Sequence, residues 1–211
     1  MADPVSRSDA SSIHTLRDGT KVRLRPIGPA DRDRLAAGFE KLSATSRYRR
    51  FLSPTPRLTE ETLRHLTATD GWNHLAIGAE TEQGDGLGVA RFFRLESEPE
   101  VAEAAVAVID EKQGLGLGHL LLEALVAAAR ERGIRRFRGY VLPENEPMRA
   151  LLAEIGERAT VRRERDLLFY DVLLPESRAE EIRQGPLYAV LRLAARGVET
   201  ILRTVRGRES E

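Results

Sequence analysis

Asp110-Glu111-Lys112-Gln113-Gly114-Leu115-Gly116-Leu117-Gly118 stands between a run of small apolar residues and the strongest helical pattern in the chain. Three glycines at alternate positions let the backbone approach a ligand with no Cβ in the way. The helix that follows presents N–H groups that lack internal partners and carry the positive end of its dipole. Together these features make a cradle for a diphosphate. The P-loop pattern is absent. The spacing is Gly-x-Gly-x-Gly, whereas the dinucleotide fingerprint is Gly-x-Gly-x-x-Gly with an acidic residue ~20 positions on, where this chain has no acid near Arg138. A glycine-rich strand–helix turn without a ligand is the plain alternative.

Working outward, Leu117, Leu120, Leu121, Ala124, Leu125 and Ala128 recur at helical spacing, and Gly133 ends that helix. Glu103–Asp110 on the other side reads as a strand rich in Ala and Val. Earlier, Ile13–Arg17 and Thr20–Pro26 are extended runs about Asp18-Gly19, a pair suited to a hairpin turn. Helices are expected over Pro29–Lys41 and from Thr59 to about Leu66. Strands are expected over Trp72–Glu80 and Leu87–Leu95, about the turn Gln83–Gly86. After the long helix, Arg136–Leu142 is a strand and Asn145 caps a helix with Met148, Leu151, Leu152 and Ile155 on its apolar face, closed by Gly156. Val161–Arg165 and Leu167–Leu174 are the last strands. Because several strands follow one another without intervening helices, the pattern predicts a mixed α/β (α+β) sheet and not a doubly wound parallel one.

Residues 1–12 read as a flexible tail, 13–175 as one domain, and 176–211, beyond Pro175, as an amphipathic helical extension. The 211 residues carry 33 basic and 33 acidic side chains, 41% apolar residues and no cysteine. The balance argues against a nucleic-acid binder, and disulfides and thiolate chemistry are excluded. No secretory or membrane-spanning run occurs, so a soluble cytoplasmic protein is expected.

Gln113-x-x-Gly116-x-Gly118 resembles the Gln/Arg-x-x-Gly-x-Gly/Ala acyl-CoA signature of the GNAT acetyltransferases. Val141-Leu142-Pro143-Glu144-Asn145-Glu146-Pro147-Met148 is similar to that family's strand end and Asn-capped helix. Leu16–Pro26 and Ser43–Phe51 resemble the branch holding the bacterial GNAT-type protein lysine acetyltransferases. The resemblance spans about Leu16 to Leu174. It implies a central, mostly antiparallel sheet with two splayed strands, flanked by helices. It also implies acetyl-CoA as co-substrate, with the loop amides on the CoA pyrophosphate, the strand from Val106 to Ile109 along the pantetheine arm, and Asn145 facing the cofactor. The implied binding set is Val106, Val108, Ile109, Gln113, Gly114, Leu115, Gly116, Leu117, Gly118, His119 and Asn145, with no metal.

Acetyl transfer to an amine needs a base, because an amine of pKa about 10.4 is mostly protonated at neutral pH. In the protein-acetyltransferase branch a glutamate ten residues before the motif serves, and Glu103 stands there. Alternation puts Glu103 on one strand face with Ala105 and Ala107, whose small side chains leave room for a substrate. The competing reading is a solvated glutamate at a strand end. His74 and Glu80 are weaker candidates. Many relatives carry a tyrosine acid where this chain has Leu152, so no general acid carries over. Tyr140 is a possible substitute, although packing is its ordinary role.

The histidines, His14, His65, His74 and His119, lack metal spacing and read as surface or capping residues, with His119 able to reach a phosphate. Arg47, Arg49 and Arg50 read as a contact for CoA phosphates or an acidic partner, or as a solvated face. Leu187, Val190, Leu191, Ala194, Val198, Ile201, Leu202 and Val205 form one stripe, and its opposite side is rich in arginine. This stripe suits packing within the molecule or in a homodimer, an anionic membrane surface, or a partner protein. The expected acceptor is a primary amine, foremost a protein lysine; a small-molecule amine and a non-catalytic acyl-CoA sensor are the alternatives.

Overall fold

The computed structural model describes residues 13–55, 57–156 and 158–175. The tail 1–12 and the extension 176–211 lie outside the described residues. Among the described residues eight strands form one sheet in the order β1-β2-β3-β4-β5-β6-β8-β7. In chain order they are β1 (Ile13–Thr15), β2 (Lys21–Pro26), β3 (His74–Glu80), β4 (Gly86–Arg94), β5 (Val101–Val108), β6 (Arg136–Val141), β7 (Arg158–Glu164) and β8 (Leu167–Leu173). The pair β5–β6 is parallel and every other pair is antiparallel. Among the described residues five helices accompany them: α1 (Arg32–Glu40), α2 (Ala44–Phe51), α3 (Glu60–Thr67), α4 (Leu117–Glu131) and α5 (Glu146–Ile155). This is the mixed sheet the strand order predicts.

The helix ends follow local chemistry. Ser43, Thr59 and Asn145 cap α2, α3 and α5 by accepting from the N–H groups of Ser46, Thr62 and Met148. Gly133, at φ +76°, stops α4. Helix α2 is absent from the predicted elements. Its eight residues include three arginines and only a short apolar series, Ala44, Tyr48 and Phe51, so its cap and its contacts with the rest of the fold define it.

One face of the sheet carries the core. Phe92, Ala90, Ala102 and Val106 pack under Leu117, Leu121, Leu122 and Leu125 of α4, with Ile134, Phe137 and Ile155 closing the edges. Between Ala124 and Ala129 every α4 residue is buried, a wider band than the predicted stripe. Each large aliphatic side chain buried there contributes roughly 1.5–3 kcal/mol. The opposite face carries α1, α2 and α3. Glu80 is buried there between Arg23 (2.5 Å) and Arg25 (2.7 Å), and Arg25 also holds Asp31 at 2.6 Å. Burial would raise the Glu80 and Asp31 carboxyls, but their arginine partners hold both below the usual range. Among the described residues, no helix is long and apolar enough to cross a membrane.

Candidate active site

Strands β5 and β6 pair over three rungs only, Val101 with Arg136, Ala102 with Phe137 and Glu103 with Arg138. Beyond Glu103, β5 stays on β4 as far as Val108, and β6 stays on β8 as far as Val141. The two therefore part and leave a wedge in the middle of the sheet. Backbone groups alternate in direction along an antiparallel strand. The odd-numbered positions of β5 face β4, as shown by Ile109 N–H donating to the Leu87 carbonyl at 3.0 Å. Ala104, Val106 and Val108 thus turn their N–H and C=O groups toward the wedge.

The glycine loop closes one end of that wedge. Gly114 (φ +73°) and Gly116 (φ +94°) adopt left-handed backbone, and no heavy atom lies within 4 Å of where a Cβ on either would sit. Those conformations favour glycine, and the space beside them is open. Gly116 caps α4 without a side chain, so the first amides of that helix are exposed toward the loop. Gln113 stabilises the turn by donating from Nε2 to the Val108 carbonyl (3.0 Å) and the Ser46 hydroxyl (3.1 Å).

Three fasteners hold the loop from outside. Asp110 accepts from Ser43 N–H (2.9 Å), the Ser43 hydroxyl (2.7 Å) and the Ser46 hydroxyl (2.9 Å), joining α2 to the loop. Partial burial would raise the Asp110 carboxyl, but these donors hold it below the usual carboxylate range. Lys112 Nζ donates to Asp18 at 2.8 Å and to the Thr20 hydroxyl at 2.9 Å. The hydrogen bond from Lys112 brings the Asp18 carboxyl down to about 2. Arg17 donates its backbone N–H to the Leu115 carbonyl at 3.2 Å.

The result is a cleft of about 500 Å³. Of the sequence-predicted residues, Val106, Val108, Gln113, Gly114, Gly116, Gly118, His119 and Asn145 line it. Leu115 and Leu117 turn toward the core, and Ile109 is buried with its amide engaged by Leu87. Glu103 is exposed at the last shared rung, outside the cleft lining. Arg17, Arg49, Arg50 and Ser46 also line the cleft. Arg17 and Ser46 belong to segments that carry the resemblance but have no site role in the sequence reading; their signal is proximity to Asp18-Gly19 and to the Ser43 cap, which only the fold brings to the loop.

Several expectations need correction. The three arginines of α2 do not act together: Arg47 pairs with Glu40 at 3.0 Å and stacks 4.3 Å over Phe39, whereas Arg49 and Arg50 face the cleft. His74 is not a surface residue, although it does serve the C-terminal end of α3, whose cap residue is Ala68. It is 7% exposed, stacks 3.9 Å from the Phe93 ring and donates from Nδ1 to the Ala68 carbonyl at 3.0 Å. Burial lowers its pKa to about 4. Glu80 is occupied by arginines, which argues against a base role. Tyr140 is 45% exposed and donates its hydroxyl to Glu164 at 3.0 Å, a bond that raises the phenol pKa. His119 lies 3.2 Å from Glu123 and 3.3 Å from Glu154, so carboxylates already surround the ring.

Residues 21–158 match the family model described as Acetyltransferase (GNAT) domain. The chain belongs to the GNAT acetyltransferases. This GNAT protein is 34% identical over 142 residues to Acetyltransferase Pat of Mycolicibacterium smegmatis, an alignment covering 67% of this chain and 42% of that protein. It is 30% identical over 147 residues to Acetyltransferase PA5475 of Pseudomonas aeruginosa, covering 68% of this chain and 78% of the relative. Among solved structures, the GNAT domain of S. lividans PAT superposes with a TM-score of 0.72 at 33% identity, covering 80% of this chain and 99% of that one. A cAMP-binding acyltransferase from Mycobacterium smegmatis superposes with a TM-score of 0.64 at 27% identity, covering 89% of this chain and 55% of that one. The chain thus spans under half the length of the first of these relatives. The family and its mixed-sheet fold follow from these matches.

Proposed function

We propose that this GNAT acetyltransferase moves an acetyl group from acetyl-CoA to a primary amine, with a protein lysine as acceptor and Glu103 as general base. The observation that carries the reading is the wedge: the Ala104 carbonyl, both backbone groups of Val106 and the Val108 N–H face it and lead straight into the glycine loop. An extended amide-bearing arm fits the first, and a diphosphate fits the second. When bound, acetyl-CoA supplies the acyl group as a thioester.

The residues then divide the work. The amides of the loop and of the start of α4 hold negative charge without needing a metal. Arg17 and Arg49 add positive charge at the rim. Glu103 takes the proton that the ammonium must lose, directly or through water, so that the nitrogen lone pair is free to form the C–N bond as the C–S bond breaks. A β5 amide facing the wedge donates to the carbonyl oxygen as charge develops there. The departing thiolate takes a proton through water, which takes in turn the second proton that the newly acetylated nitrogen must lose, since Leu152 occupies the position where many relatives have a tyrosine. The lysine acceptor draws support from the likeness to the relative named Pat and to the S. lividans PAT domain. Thiol release from acetyl-CoA in the presence of lysine-containing proteins tests the reading. Tight acetyl-CoA binding with no turnover on any amine would overturn it in favour of a sensor.

A further inference from the structure

A second cavity, of about 90 Å³, lies against the same stretch of β5 on the face covered by α1, α2 and α3. It shares Leu42, Arg50 and Ala107 with the wedge cleft. Its walls are largely apolar, with Phe39, Phe51, Leu58 and Val89 among them, yet Arg50 and Arg91 both line it. Arg91 is 2% exposed, and its ladder partner is Ala105 on β5. Arg91 donates from Nη1 to the Leu66 carbonyl at 2.6 Å, and Arg50 lies 4.9 Å over the Phe51 ring. Among the described residues neither guanidinium has a carboxylate at ion-pair distance. The carboxylate on the cavity's other side, Glu80, is engaged by Arg23 and Arg25.

A buried cation without a counter-ion is costly, and two that feel each other cost more. Burial and the charge of Arg50 push Arg91 down to about 9. Capping the last turn of α3 through Leu66 explains one N–H of Arg91. It does not explain the rest of that fork, nor a second arginine turned toward the same space. Groups this uncompensated beside a reacting centre mark a site for a ligand of opposite charge, and the planar fork of arginine suits a carboxylate.

We infer that Arg50 and Arg91 form a receptor for a carboxylate carried by the acyl group or by the amine acceptor. The inference rests on the acetyltransferase reading for the two substrates and adds a specificity element to it. Two matched pairs test it. Succinyl-CoA and butyryl-CoA differ at the end of a four-carbon acyl chain, carboxylate against methyl, and their affinities are compared by calorimetry. Lysine and cadaverine, the latter being lysine without its carboxylate, are compared as acceptors with acetyl-CoA by thiol release. The carboxylate member of one pair should be favoured by about tenfold or more, and Arg91→Met and Arg50→Met should each flatten that preference. A preference in the first pair places the carboxylate on the donor, and in the second on the acceptor. Because preference is a ratio within one variant, a general loss of activity cancels. Should Arg91→Met fail to fold for want of a donor to Leu66, Arg50→Met and Arg91→Lys carry the test. No preference in either pair, or one that survives both substitutions, overturns the inference. If no CoA thioester binds at all, the acetyltransferase reading fails. Free glutarate then probes the arginines alone: saturable binding weakened in Arg50→Met supports the receptor, and no binding removes it.

Discussion

Glu103 on β5 and Arg138 on β6 form the last rung of the parallel ladder, and the sheet opens immediately beyond them. A carboxylate at that rung stands where the two walls of the wedge meet. Arg138 does not neutralise it by default, because its guanidinium binds Glu98 and, at 2.9 Å, Asp171. Those partners raise the Arg138 pKa and keep it cationic at every accessible pH.

The base assignment therefore makes a sharp prediction. Glu103→Gln should lower kcat by ~10²–10⁴ while leaving the affinity for acetyl-CoA unchanged. The side chain is exposed, so thermal stability should hold within about 0.5 kcal/mol. Steady-state thiol release together with calorimetry of acetyl-CoA checks both parts. Unaltered turnover would remove Glu103 from the chemistry.

The glycine loop predicts a graded response to alanine. At Gly116, φ +94° strains any side chain, although no heavy atom lies within 4 Å. Gly116→Ala should cost about 1–2 kcal/mol of stability through the backbone, and moving the first amides of α4 should weaken acetyl-CoA binding. At Gly118 a Cβ would meet Leu151 Cδ1 at 3.2 Å with no positive φ, so a small side-chain shift suffices. Gly118→Ala should be the milder change in both melting temperature and acetyl-CoA affinity. The reverse ranking would mean that crowding, not backbone conformation, governs the loop.

Asp110 links α2 to the loop through three donors, which predicts coupled effects. Asp110→Asn keeps the shape but replaces one acceptor oxygen with a donor facing Ser43 or Ser46. Stability should fall by about 1 kcal/mol, and acetyl-CoA affinity should fall with it as Gln113 loses its fixed partner Ser46. The pH dependence has a definite sign. The folded carboxyl is depressed, so its contribution is present above the unfolded carboxylate pKa and disappears as pH falls through the lower folded value. Asp110→Asn should flatten that acid limb in denaturant titrations.

Much of this site was legible before folding because it is local. The glycine spacing from Gln113 to Gly118, the helix pattern from Leu117 and the Asn145 cap each depend on residues within one turn of each other. What escaped the sequence is what the chain assembles from a distance. Ser43 and Asp110 are 67 positions apart, and Arg17 meets the loop across 97. Helix α2 has only the short apolar series Ala44, Tyr48 and Phe51 to reveal it, and its arginines look alike in sequence although Phe39 and Glu40 claim one of them. His74 looked like any polar residue at the start of a strand. Only the ladder, by pairing it with Phe93 beneath α3, makes it a core residue.

That burial gives the last prediction. His74 donates from Nδ1 to Ala68, while its Nε2 is buried without a hydrogen-bond partner among the described residues. A proton added at Nε2 would therefore be desolvated and unpaired, and burial is the main cause of the fall to about 4. In the unfolded chain the ring titrates near its ordinary value of about 6.5. With the folded pKa below the unfolded one, the neutral ring's contribution is complete above about 6.5 and is lost as pH falls toward 4, by roughly 2–3 kcal/mol in all. His74→Phe keeps a ring against Phe93 and removes the titration, so the variant should lose the pH dependence of stability between those limits. The Ala68 carbonyl, left without its donor, should lower stability at neutral pH by about 1 kcal/mol. Urea unfolding at pH 7 and pH 5 on both proteins decides the matter, and an equal loss on acidification in the two would show that another group controls it.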